Sequence, residues 1–339
     1  MAASSGHGAN RDERRVSMRD VALRAGVSGQ TVSRVVNDSP RVDPGTRARV
    51  EAAMAQLGYR PHRAARALRT GRTHTIGLVV STLASVGNSR MLQAVADAAS
   101  HRGYALTVVT AADAAALASA FEHLRDQAVD GAIVLNEATA AARRTDTPSD
   151  LALVVVDSPA DERFGVVQSD HEAGGRAATE HLIALGHPTV WHLAGPEDSY
   201  AAAERERGWR AALEGAGLVA PPVLRGDWTA ASGHSQGLAL AERPDVSAVF
   251  VANDQMALGL LRALSEAGRT VPRDVSVVGF DDIADAADYL PPLTTVRQDF
   301  DELGERAVDA LIGAIDGGVP SSHLVPTRLL VRQSSAPPS

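Results

Sequence analysis

The residues best suited to chemistry with another molecule begin at Ser28-Gly-Gln-Thr-Val-Ser-Arg-Val-Val-Asn37, where apolar and polar side chains alternate at helical spacing. Val32, Val35 and Val36 form one stripe, while Gln30, Thr31, Ser33, Arg34 and Asn37 face outward. Amide, hydroxyl and guanidinium ends on one helix face suit the base edges and phosphates of a DNA major groove. A solvated amphipathic hairpin is the plainer alternative. The preceding residues argue against it. Ser17 and Asp20 have the spacing of a capping box, Val21, Ala22 and Ala25 share a face, Gly26 supplies a turn and Ser28 caps the next helix. Two short helices joined this way read as a helix-turn-helix.

A second set of polar residues ends apolar runs. Ser81 follows Ile76-Gly-Leu-Val-Val, Asn136 follows Ala132-Ile-Val-Leu, and Asp157 follows Leu153-Val-Val-Val. Asn253-Asp254 closes the run from Ala248, and Asp281-Asp282 the run from Val275. Each alone is a helix cap or turn residue as readily as a ligand contact. Five such residues beyond the carboxyl ends of strands mark a cleft. A rival constellation is Gly233-His-Ser-Gln-Gly237, a G-x-S-x-G pattern with Asp281 and His323 downstream. A hydrolase needs an apolar strand running into that motif. Asp227-Trp-Thr-Ala-Ala-Ser reads instead as a loop and a helix start capped by Thr229, which puts Ser235 inside a helix. No catalytic residue is expected. No spacing fits a metal site or a Gly-rich phosphate loop, so no cofactor is expected either.

These residues need elements to hold them. The seven runs Ile76–Val80, Leu106–Val109, Ala132–Leu135, Leu153–Val156, Val190–Leu193, Ala248–Val251 and Val275–Phe280 read as strands buried on both faces. Helical stretches near 88–101, 114–127, 170–185, 200–216, 230–241, 254–266 and 300–315 separate them, with Gly103, Gly186, Gly217 and Gly268 at helix ends. The alternation predicts an α/β core of two doubly wound parallel-sheet lobes behind an all-α headpiece. A third headpiece helix starts at Asp43-Pro44 and ends at Gly58. Residues 1–16 read as a disordered tail, 17–60 as the headpiece, 61–73 as a basic connecting segment and 74–339 as the core.

Charge divides the same way. Net charge is −8, yet residues 1–75 hold 14 arginines against 6 acidic residues, a balance of +8, and the remainder carries −16. A basic head on an acidic body fits a nucleic-acid partner for the head. The chain has no cysteine, which excludes disulfides and fits a reducing cytoplasm. No run is long enough to span a bilayer, and no secretory pattern opens the chain.

Asp20-Val-Ala-x-x-Ala-Gly-Val-Ser and Thr31-Val-Ser-Arg-Val-Val-Asn resemble the headpiece of the lac repressor family (LacI/GalR) of bacterial transcription regulators. The likeness runs from about Ser17 to Val331 through Ala194-Gly-Pro, Arg205 with Gly208-Trp209, Gly226-Asp-Trp, Val251-Ala-Asn-Asp-Gln-Met and Pro291-Pro-Leu-Thr-Thr-Val-Arg-Gln-Asp-Phe. It is closest to the member that gives the family its name. The resemblance implies a core similar to periplasmic sugar-binding proteins, with one lobe at about 74–168 plus 300–327. The other lobe would take 169–299 plus the last residues. It implies that Asp157, Arg205, Asn253 and Asp281 hydrogen-bond a sugar, with Ser81, Asn136 and Gln298 nearby and Trp228 and Phe300 against its apolar face.

On the DNA side the resemblance implies base contacts from Gln30 and Arg34, and phosphate contacts from Thr31, Ser33, Asn37 and Thr46. Pro61 to Gly71 is open between a plain basic linker and a hinge helix. The resemblance favours the hinge, with Ala65 among its DNA-binding residues and Leu68 wedged into the minor groove. The expected whole is a dimeric repressor bound to a near-palindromic operator and released by a galactoside-like inducer. A member corepressed by a purine is the alternative, and a sugar-binding protein or hydrolase without a DNA role is a remoter one. Two departures stand out. Asp113 lies near a ligand-proximal Arg of the name-giving member, which bears on the sugar. Gly29 replaces the Tyr that opens its recognition helix, which bears on the operator. The carboxyl-terminal stretch has no Leu-rich heptads, so a dimer is expected over a tetramer.

Overall fold

The computed structural model describes residues 16–36, 39–59, 71–111, 113–136, 138–139, 142 and 151–339. They fall into two compact units, one up to Thr73 and one from His74 onward.

In the first unit, α1 spans Met18–Ala25, α2 Gly29–Val36 and α3 Pro44–Leu57. The Ser17 hydroxyl accepts from the Asp20 amide while the Asp20 side chain takes the Ser17 amide, a complete capping box. Gly26 ends α1 in the left-handed region (φ 66°), and the Ser28 hydroxyl accepts from the Thr31 amide (3.1 Å) to start α2. Asp43 caps α3 ahead of Pro44. Val21, Ala22, Ala25, Val32, Val35, Val50 and Ala53 form the small core, with Val36 only half-buried at its rim. Arg24 donates to Gln56 (3.0 Å), and Arg47 to the Ser39 carbonyl (2.8 Å), tying α3 to its neighbours.

The second unit holds two six-stranded sheets. The first has the order β11-β5-β4-β3-β1-β2, all parallel, with β1 Thr75–Val80, β2 Ala105–Thr110, β3 Gly131–Leu135, β4 Ala152–Val156, β5 Gly165–Ser169 and β11 Ser322–Val325. The second has the order β12-β10-β9-β8-β6-β7, with β6 Trp191–Ala194, β7 Leu224–Arg225, β8 Ala248–Val251, β9 Ser276–Asp281, β10 Thr294–Arg297 and an antiparallel edge strand β12 Arg328–Leu330. The helices are α4 Val86–His101, α5 Ala114–Asp126, α6 His171–Ala184, α7 Tyr200–Gly215, α8 Ala230–Ala241, α9 Asp254–Glu266 and α10 Phe300–Ile315. Separate apolar clusters cover each sheet's two faces, so the central strands are buried throughout as their unbroken apolar runs require.

One expectation is corrected: β2 is not buried on both faces. It is the edge of its sheet, with Val108 39% exposed, because only β1 flanks it. Strands β5, β7, β10, β11 and β12 went unread in the sequence. The chain passes between the sheets after β5, between β10 and α10, and between β11 and β12.

The G-x-S-x-G decoy is a helix. Ser235 lies inside α8, capped by Thr229, and His323 belongs to β11 in the other sheet. Gly233 is small because a side chain there would strike the Met256 backbone of α9. Its role is close helix packing.

Candidate functional site

Both sheets share one topology, with the second strand of each outside the first and the third on its other side. The crevice beyond the carboxyl ends at such a reversal is where open α/β sheets bind ligands. A cleft of about 560 Å³, open to solvent, lies there. Its lining includes Asn136, Asp157, Arg205, Trp228, Asn253, Asp281, Gln298 and Phe300. Ser81 is not among the lining residues. Asp113 is also elsewhere, capping α5 through the Ala116 amide (2.8 Å).

Asp157 follows β4 with φ 55°, and its Oδ1 accepts from the Ser169 amide at 3.2 Å. His171, the first residue of α6, is buried with Nε2 2.8 Å from that same oxygen. The pair is within ion-pair reach, although the ring N–H is not aligned on the oxygen as a hydrogen bond. Burial drives the Asp157 carboxyl upward, but His171, Arg205 and the Ser169 amide outweigh it and hold the group below the ordinary carboxylate range.

Arg205, on α7, is 4% exposed and has its guanidinium carbon 3.9 Å from the Phe280 ring centre and 5.5 Å from that of Trp228. It donates to the Ala252 carbonyl and, through Nε, to His171 Nδ1 at 3.3 Å, and one Nη lies 3.4 Å from Asp281 Oδ1. Helix packing sets this position. A side chain on Gly175 of α6 would strike the Arg205 backbone, and one on Gly208 of α7 would strike Glu172, so the two helices touch backbone to backbone.

In both tandem pairs the first residue lines the cleft and the second does not. Asn253 caps α9 by accepting from the Met256 amide (2.9 Å) and donates to the Trp228 carbonyl (3.0 Å). Asp281 accepts from Gln298 at 2.6 Å, and burial lifts its carboxyl above the usual range despite Arg205. Asp254 is fully buried, accepts from the Thr295 hydroxyl (2.6 Å) and the Ile283 amide (2.9 Å), and is pushed well up by burial and by Asp281. Asp282 is held by Arg297 and Arg332, each at 2.6 Å. These second residues lock the strand ends in place.

The cleft is rich in acceptors. Besides the carboxylates, the buried Asn136 Oδ1 and Gln298 Oε1 have no hydrogen-bond partner, while Asn136 Nδ2 donates to Asn88 and Gln298 Nε2 to Asp281. Trp228 (φ 74°) lays its ring against Gly195, whose missing side chain makes the room. Phe300 opens α10 and lines the cleft just after the chain's second passage between the sheets. Hydroxyl donors beneath an aromatic wall fit this arrangement. Ser85, Asn88, Ser199 and Tyr200 also line it, none of them at the end of an apolar run. Ser85 and Ser199 cap α4 and α7, and that cap pattern was the available signal.

In the first unit, Gln30 and Arg34 are exposed one helical turn apart on α2. Thr31 and Ser33 are half-buried, and the Thr31 hydroxyl bonds Ser28 (2.9 Å). Thr46 sits in the first turn of α3, where its amide donates to Asp43 and its hydroxyl accepts from Arg49. Asn37, Ala65 and Leu68 lie outside the described residues, as does the expected hinge helix.

A helical headpiece with a helix-turn-helix, followed by a two-sheet cleft domain, defines a ligand-controlled DNA-binding regulator. Comparison agrees. Residues 17–62 match the family described as bacterial regulatory proteins, lacI family, and residues 179–335 match the periplasmic binding protein-like domain. The lactose operon repressor of Escherichia coli K12 is 39% identical over 331 residues, covering 96% of this chain and 92% of that protein. The crystal structure of the lac repressor dimer bound to operator and the anti-inducer ONPF superposes with a TM-score of 0.83 at 37% identity, over 95% of this chain and 100% of that one. A transcriptional regulator CelR–cellobiose complex gives 0.72 at 36% identity, over 94% and 100%. The chain belongs to the lacI family of bacterial regulatory proteins; it is a DNA-binding transcription regulator and not an enzyme. Among the described residues no helix is long and apolar enough to cross a membrane.

Proposed function

We propose that this chain is a dimeric, cytoplasmic repressor that binds a near-palindromic operator and leaves it when a small neutral sugar, galactoside-like in shape, fills the cleft. The observation that carries the sugar reading is the acceptor surplus. Asp157 and Asp281, with Asn136 and Gln298 beside them, line one space, where a ligand rich in O–H donors can bond to them together. Trp228 and Phe300 offer the apolar face that a sugar ring's C–H groups need. Gln30 and Arg34 read base edges, and Thr31, Ser33, Asn37 and Thr46 position phosphates. Ala65 and Leu68 belong to a hinge segment that enters the minor groove.

The mechanism is differential binding. A sugar that contacts both lobes favours one relative angle of the lobes, and operator affinity falls by the free energy with which that angle disfavours paired hinges. The test is fluorescence anisotropy on a duplex selected from random sequence, titrated with lactose, galactose, cellobiose, ribose and purine bases. Release by a galactoside supports the proposal. Tightening by a purine replaces it with corepression, and indifference to every sugar removes the effector half.

A further inference from the structure

His171 was flagged neither by the strand-end pattern nor by the resemblance, and it does not line the cleft. It is 1% exposed at the first position of α6, directly after the chain's first passage between the sheets. Its two ring nitrogens face different lobes. Nε2 lies 2.8 Å from Asp157 Oδ1 at the end of β4, and Nδ1 lies 3.3 Å from Arg205 Nε on α7.

Arginine can only donate. Nδ1 therefore has to present its lone pair, and the ring's single proton sits on Nε2, toward the carboxylate. Arg205 is not free to turn away, because its guanidinium is stacked on Phe280 and bonded to the Ala252 carbonyl. From Arg205 the contacts continue to Asp281 and on to Gln298. Five side chains thus form one polar chain, four of them in the cleft lining and His171 behind them.

We propose that His171 is a positioning residue, locked by Arg205 in the Nε2–H tautomer, which sets the first lobe's Asp157 against the second lobe's Arg205. The consequence for binding rests on the reading that these two groups hold the effector, whereas the tautomer does not.

The test has two arms. In the full-length chain labelled with 15N-histidine, two-bond 15N–1H correlation assigns the tautomer of His171, whose signal is the one lost in His171→Gln. The expected result is Nε2–H, becoming a mixture in Arg205→Met. Nδ1–H in the unaltered chain overturns the proposal, and that measurement stands whether or not Arg205→Met folds. In the second arm, His171→Asn keeps an acceptor for Arg205, His171→Gln keeps a donor for Asp157, and His171→Ala keeps neither. Calorimetric titration with lactose and cellobiose should give losses of about tenfold for Asn and for Gln and about a hundredfold for Ala, the scale of losing one and then both of the ring's polar contacts. Equal affinity in all three variants, with unchanged thermal midpoints, overturns the positioning role. If neither sugar binds the unaltered chain, the effector reading fails while the tautomer result still decides the lock.

Discussion

At the scale of single residues, the cleft depends on buried groups that correct one another. Asp157 remains a carboxylate because His171, Arg205 and the Ser169 amide together exceed the cost of burial. Asp157→Asn should therefore weaken the best-binding sugar by about 10- to 100-fold, the loss of roughly 1.5–3 kcal/mol of charge-assisted bonding. Calorimetry measures this, with duplex affinity in the absence of sugar unchanged. On the headpiece, Arg34→Ala should cost about 1–3 kcal/mol on the selected duplex and relax preference at one base pair, read by anisotropy on single-base variants of that duplex. The residues that end strands were legible in sequence because a polar side chain after an apolar run is conspicuous. His171 was not, because it begins a helix and its strand, Gly165-Val-Val-Gln-Ser, is too short and too polar to stand out. Nothing local to Ser81 distinguishes it from the cleft-lining strand ends.

At the scale of elements, what the sequence showed well was the helix. The core helices α4 to α10 fall within two residues of the ranges read from apolar periodicity and glycine stops. The strands read correctly were runs of four to six mostly apolar residues, some broken by a Gly, Thr, His or Ser. Missed strands are edge strands (β7, β11 and β12) or, like β5 and β10, mix polar with apolar residues. Edge exposure of β2 depends on which strand lies beside it, and no local pattern encodes that. Helix contacts, in contrast, are written in single glycines. Gly175→Ala would drive a methyl into the Arg205 backbone and separate α6 from α7. It should cost about 1–3 kcal/mol of stability by urea denaturation, and sugar affinity should fall with it because His171 and Arg205 ride on those two helices.

At the scale of the whole molecule, buried histidine links stability to pH. His192 is fully buried on β6, its ring stacked on Phe250 and Trp209, and Nδ1 donates to the Phe250 carbonyl (2.9 Å) while Nε2 has no partner. Burial pushes it down to about 4 from 6.5. The unfolded chain therefore binds a proton that the folded chain refuses. Stability should be complete above pH 6.5 and decline as pH falls from there toward 4, by up to roughly 3 kcal/mol. Urea midpoints measured between pH 7.5 and 5 should fall in the unaltered chain and fall less steeply in His192→Phe.

The three passages of backbone between the sheets carry a consequence for how the core can come apart. Two rigid bodies joined by three separate threads behave like a door on three pins: swinging is permitted, detachment is not. A protease that severs any one thread should leave both halves together on a native sizing column and separate them only under denaturant. A ligand gripping both halves has a single angle left to choose.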